Sequence, residues 1–105
     1  MNDITLGKVV AEREFEFTPR QGPKYTVAVR VGAPYSEGGS DPWYCPYQIE
    51  GGGKQRTFAM AGVDSLQALV LTTRVLSAEL DLWARNADGT FSFDGQPDLM
   101  LPPSP

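Results

Sequence analysis

The chain has no histidine and a single cysteine in 105 residues. Without histidine it lacks the commonest general base, the commonest metal ligand and the partner of every Ser–His or Cys–His nucleophile pair. With Cys45 alone, no intramolecular disulfide can form, and packing must hold the fold together. No apolar run approaches the roughly 20 residues that a bilayer-spanning helix needs. The opening MNDITLGKVV carries an early acidic residue and no signal-peptide apolar region. Positive charge is also scarce: nine Lys and Arg stand against thirteen Asp and Glu, for a net charge of −4. The basic residues are scattered, so they form no footprint for nucleic acid. These absences argue against a membrane role and against nucleic acid, and they point to a cytoplasmic protein suited to a protein partner. No catalytic residue, metal ligand set or cofactor is assigned.

A hydrophobic fraction of 41% is that of an ordinary globular protein, and the length fits one domain with its own core. The strongest signal is the run from Gly62 to Trp83, which predicts one amphipathic helix. Asp64 is its N-cap, Gln67 completes a capping box, and Asn86 and Gly89 are stop signals. At the helical period, Leu66, Leu69, Val70, Thr73, Leu76, Leu80 and Trp83 share the face expected to meet a sheet. A second apolar stripe holds Ala68, Leu71, Val75, Ala78 and Leu82, and one sheet cannot cover both. Either the tail or a flank of the sheet covers it, or a second copy does. In the second case Leu71, Val75 and Leu82 are homodimer contacts.

Before the helix the pattern changes to period two. Residues 4–17 end in alternation, with Phe15 and Phe17 on one face and Glu12, Glu14 and Glu16 on the other. Two prolines and a glycine in residues 18–23 make a turn, and residues 24–32 form the antiparallel partner, placing Arg30 opposite the glutamates. Residues 33–42 read as a flexible loop, and residues 43–50 as a third strand. Pro46 cannot donate to a ladder, which predicts an edge or a bulge there. A glycine-rich turn leads to a fourth strand, residues 55–61, with Phe58 and Met60 inward. Thr90 to Phe93 can add a short strand after the helix. The expected fold is α+β: a four-stranded, mostly antiparallel meander with one long C-terminal helix on one face. Residues 1–96 form the domain and residues 97–105 a Pro-rich tail, with Leu99, Met100 and Leu101 as its anchor.

Each candidate site has a plainer explanation. GGGKQRT lacks the Ser or Thr after Lys54 and the following helix of a phosphate loop, and reads as a hairpin turn. The three glutamates alternate along one strand face about 7 Å apart, as solvated residues do. Cys45, at an inward position with no histidine to activate it, reads as a small core side chain. Asp64 is explained by its capping role. The aromatic residues around the 33–42 loop are the best functional candidates. Alternation sends Trp43 and Tyr47 inward and leaves Tyr44 outside, with Tyr35 on the loop. Tyr35, Trp43 and Tyr44 are therefore taken as the partner-binding residues.

The segments Trp43-Tyr44-Cys45-Pro46-Tyr47-Gln48-Ile49-Glu50-Gly51 and Gly62-Val63-Asp64-Ser65-Leu66-Gln67-Ala68-Leu69 together resemble a family of small bacterial domains of unknown function. The resemblance covers residues 43 to about 83. It implies a small α+β domain and carries over no catalytic residue. Similarity in size and charge to immunity proteins and other small inhibitors adds an expectation of a non-enzymatic protein-interaction domain, possible as a homodimer through the helix. The rival expectation is a small-molecule-binding domain or small enzyme with a pocket between the loop and the helix N-terminus.

Overall fold

A computed structural model describes residues 4–104. Residues 1–3 and Pro105, at the ends of the expected domain and tail, lie outside the described residues. The alternation of the first half folds as expected into β1 (Val9–Pro19) and β2 (Tyr25–Gly32), an antiparallel pair with Phe15 opposite Val27 and Phe17 opposite Tyr25. Phe15, Phe17, Val27, Val29 and Val31 are buried on the inner face. On the outer face Arg30 Nη1 donates to Glu50 at 2.9 Å and its Nε lies 3.5 Å from Glu12.

Among the described residues six strands form, not the four of the expected meander; the short strand expected at Thr90 to Phe93 is one of the two added. β3 (Tyr35–Ser36) lies inside the segment read as flexible and pairs with β4 (Trp43–Gly51). A two-residue strand carries no period for sequence to show. β5 (Lys54–Gly62) pairs with the whole of β4 through a two-residue turn, where Gly52 and Gly53 have φ of 58° and 81°. Both values suit glycine, and such a turn matches the twist of the strands it joins. β6 (Gly89–Ser92) follows the helix and pairs with β1, so the chain returns to the far side of the sheet. The order is β5–β4–β2–β1–β6, with β3 continuing the β2 line beside β4, and the sheet curls into a half-barrel.

β4 is therefore central, which corrects the edge expected from Pro46. In a two-residue hairpin the flanking residues form a hydrogen-bonded pair and the pairs then alternate. Counting from Gly51 and Lys54, the Pro46 nitrogen faces away from β5, toward the gap where β2 ends at Gly32. There a Cβ on Gly32 would lie 2.8 Å from the Pro46 ring, so the ring fills the gap and no ladder bond is lost.

The helix α1 (Ser65–Asn86) starts as its sequence indicates. Asp64 Oδ1 accepts from the Gln67 N–H at 2.8 Å, while Gln67 Oε1 accepts from the Val63 N–H at 2.7 Å, one residue before the cap. Its buried line is Ala68, Thr72, Leu76 and Leu80. That line is rotated by roughly 60° from the expected face, toward the second stripe. Leu66 and Val70, expected inside, are exposed, and Thr72 is the buried threonine in place of Thr73. The reason is close approach to β5. A Cβ on Gly62 would lie 2.5 Å from the Ala68 nitrogen, so the small pair Gly62–Ala68 draws the helix down on that side. The Thr72 hydroxyl, facing Ala68 O at 2.9 Å and Cys45 O at 3.3 Å, has acceptors where burial would otherwise be costly. Leu76 and Leu80 each contribute about 1.5–3 kcal/mol by burial.

With the helix over β4 and β5, the inner face of β1 and β2 needs another cover. The tail supplies it. Leu99 and Leu101 pack against the core, Arg13 Nη1 donates to the carbonyls of Leu99 and Met100 at 3.0 Å, and Ser77 donates to Pro102 O at 2.7 Å. Met100, the third residue of the expected anchor, turns outward.

Candidate interaction surface

At the end of the molecule where α1 begins, several apolar side chains face solvent. Tyr35, 39% exposed, and the half-buried Tyr44 are opposite each other on β3 and β4, with ring centroids 5.7 Å apart. Val63 is 82% exposed and Leu66 67% exposed at the helix entry. Residues 40–42 and 61–63, with Gln67, line a broad open hollow of about 430 Å³ at this end. Of the three residues expected to bind a partner, Tyr35 and Tyr44 come together. Trp43 does not join them: it lies opposite Ser36 and Gly62 and packs against the core from the other face. The hollow lies where the sequence suggested a pocket, but no aromatic residue lines it and Asp64 is engaged as the cap.

The second helix stripe lies along the open side of β5. Leu71 is half-buried, Val75 packs against the core, and Leu82 is 49% exposed. Phe58, expected inward, is 45% exposed, because β5 is the sheet edge among the described residues.

Sequence reasoning missed the polar centre beneath α1. The Tyr47 hydroxyl donates to Glu79 Oε2 at 2.5 Å, and Arg56 Nε donates to the same oxygen at 3.0 Å. Burial first, then the Glu79 hydrogen bond and charge, push the Tyr47 phenol well above its ordinary range, and it stays a neutral donor. The Glu79 bond in turn holds the Arg56 guanidinium charged. Neither Arg56 nor Glu79 stands out in the sequence, because each is a single charge within an otherwise ordinary strand or helix pattern. Cys45 is fully buried, and burial pushes its thiol up and away from the reactive thiolate. Among the described residues no three His, Cys, Asp or Glu side chains converge to hold a metal. Glu12 and Glu16 are paired with Arg30 and Lys24 on the open sheet face.

A family model described as a domain of unknown function, DUF6968, matches residues 11–103. The chain belongs to that family. None of the curated proteins and none of the solved structures matches it. The DUF6968 span begins within β1 and runs into the tail, so the tail docked on Arg13 is part of the matched domain. Under that tail lies a mostly apolar cleft of about 260 Å³, bounded by Arg13, Phe15, Val29, Val31, Leu76 and Leu101. No helix among the described residues is long and apolar enough to cross a membrane.

Proposed function

We propose that this DUF6968 chain is a non-enzymatic protein-interaction domain that meets its partner at the end where α1 begins. The observation that carries the reading is the exposure of Tyr35, Val63 and Leu66, with the half-buried Tyr44 packed beside Tyr35 and Val63 on the wall of an open hollow. Aromatic and large aliphatic anchors without an enclosed pocket suit a protein surface better than a small ligand. The net charge of −4 favours a basic partner. A small acidic inhibitor of the immunity type is the finer form of this reading. Supporting it further, the groups with chemical potential are engaged in structure: Asp64 as a cap, and Tyr47 and Glu79 with each other.

The test is a pull-down with the tagged chain, followed by reconstitution with the purified partner. The expected result is a stoichiometric complex that weakens at least tenfold in Tyr44→Ala and in Leu66→Asp, both of which should keep native circular dichroism. A complex indifferent to both substitutions refutes the surface. A second reading rests on the cleft beneath the tail, whose apolar walls and Arg13 rim suit a small apolar carboxylate. Saturable thermal stabilisation by a medium-chain fatty acid, lost in Arg13→Met, would favour it.

A further inference from the structure

We propose that two copies of the chain associate about a two-fold axis by pairing β5 with β5, which sets their α1 helices side by side. β5 is an edge strand among the described residues, nine residues long, and it carries little of the usual protection against pairing. It has no proline, its sole charges are Lys54 at the turn and Arg56, and Arg56 is drawn back onto Glu79. The phase of the hairpin fixes which groups are free. Counted from the Gly51–Lys54 pair, Arg56, Phe58 and Met60 bond to β4, and the N–H and C=O of Gln55, Thr57 and Ala59 point outward. A dyad at Phe58 places Thr57 opposite Ala59 of the second copy, and Arg56 opposite Met60. No like charges meet, and the half-exposed ring of Phe58 meets its own copy.

The helix supplies independent support. α1 runs above the boundary of β4 and β5: Ala68 sits over Gly62, Thr72 over Cys45, and Glu79 over Arg56 and Tyr47. Its axis is thus about half a strand spacing inside β5, and the dyad is half a spacing outside. With strands about 4.8 Å apart, the two helix axes come about 10 Å apart, within the range at which helices pack. The helix is antiparallel to β5, so Val75 falls over Phe58, near the dyad. Leu71 of one copy then faces Ala78 of the other, large against small. Leu71, Val75 and Leu82, left without a common cover in the single chain, gain one. The inference is independent of the partner-binding reading above.

Light scattering on the purified chain should give twice the 11.5 kDa of one copy. Ala59→Pro removes an outward N–H and leaves the β4 ladder intact, so it should halve that mass with unchanged circular dichroism. Phe58→Cys should form a covalent dimer under mild oxidation, because directly opposed non-hydrogen-bonded residues lie about 4.5 Å apart at Cα, within disulfide reach. Leu66→Cys, away from the dyad, should not. A single-copy mass at the highest soluble concentration, or a dimer that Phe58→Cys does not cross-link, overturns the proposal. If Ala59→Pro fails to fold, the cross-link decides alone.

Discussion

Replacing Tyr47 with Phe isolates one hydroxyl under the helix. The ring, 1% exposed and edge-on to Phe58 at 6.3 Å, keeps its packing. What leaves is the donor to Glu79 Oε2, an oxygen that also accepts from Arg56 at 3.0 Å. A hydrogen bond to a charged group contributes about 1.5–3 kcal/mol. Arg56 remains in the variant, so the carboxylate is not orphaned, and the loss should fall toward the lower end, about 2 kcal/mol. The pH dependence gives a sharper signature. Burial and Glu79 raise the Tyr47 phenol above its ordinary value of 10.0, so the folded chain keeps a proton that the unfolded chain loses. The advantage of the natural protein over Tyr47→Phe is therefore full below about pH 10. It shrinks above that, by up to about 1.4 kcal/mol per pH unit. Urea unfolding of both proteins in steps from about pH 7 to about pH 11 measures this, and the comparison cancels the other tyrosines and the lysines. A difference that stays constant to about pH 11, or none at neutral pH, refutes the buried donor.

Two further substitutions probe the cover of the sheet. Gly62→Ala places a Cβ 2.5 Å from the Ala68 backbone nitrogen, which cannot move without lifting the helix, so a loss of about 1–3 kcal/mol is expected in thermal or urea unfolding. Arg13→Ala removes both hydrogen bonds to the tail carbonyls and the cation stacked 4.5 Å above Phe93. It should cost about 1–2 kcal/mol and speed hydrogen exchange of residues 99–102; unchanged exchange would show that apolar packing alone holds the tail.

Much of the fold was legible where a strong period met a definite punctuation. β1 and β2 alternate cleanly over Phe15, Phe17, Val27 and Val29, and the helix is bounded by Asp64 and its cap. β3 was too short to repeat a pattern, whereas β6 falls where a short strand was expected at Thr90 to Phe93. β4 was misplaced because the single signal of Pro46 reports a missing donor, and the sequence does not reveal on which side of the strand that donor is missing. For the candidate surface, alternation correctly put Tyr44 outside and Trp43 inside, but the exposed Leu66 followed from a helix rotation that propensity does not encode.

The sequence by itself determined the α+β class, the hairpins, the capped helix and the lack of histidine chemistry, since each depends on residues close together in the chain. Tertiary structure alone decided which strand became the edge and how the helix turned on its axis. It also brought Arg56 and Tyr47 to one carboxylate and laid the tail over β1. Those outcomes depend on contacts between distant residues, such as Gly62 against Ala68 or Arg13 against Leu99, and on which faces remained to be covered once the first had packed. Local preference is blind to such competition for cover.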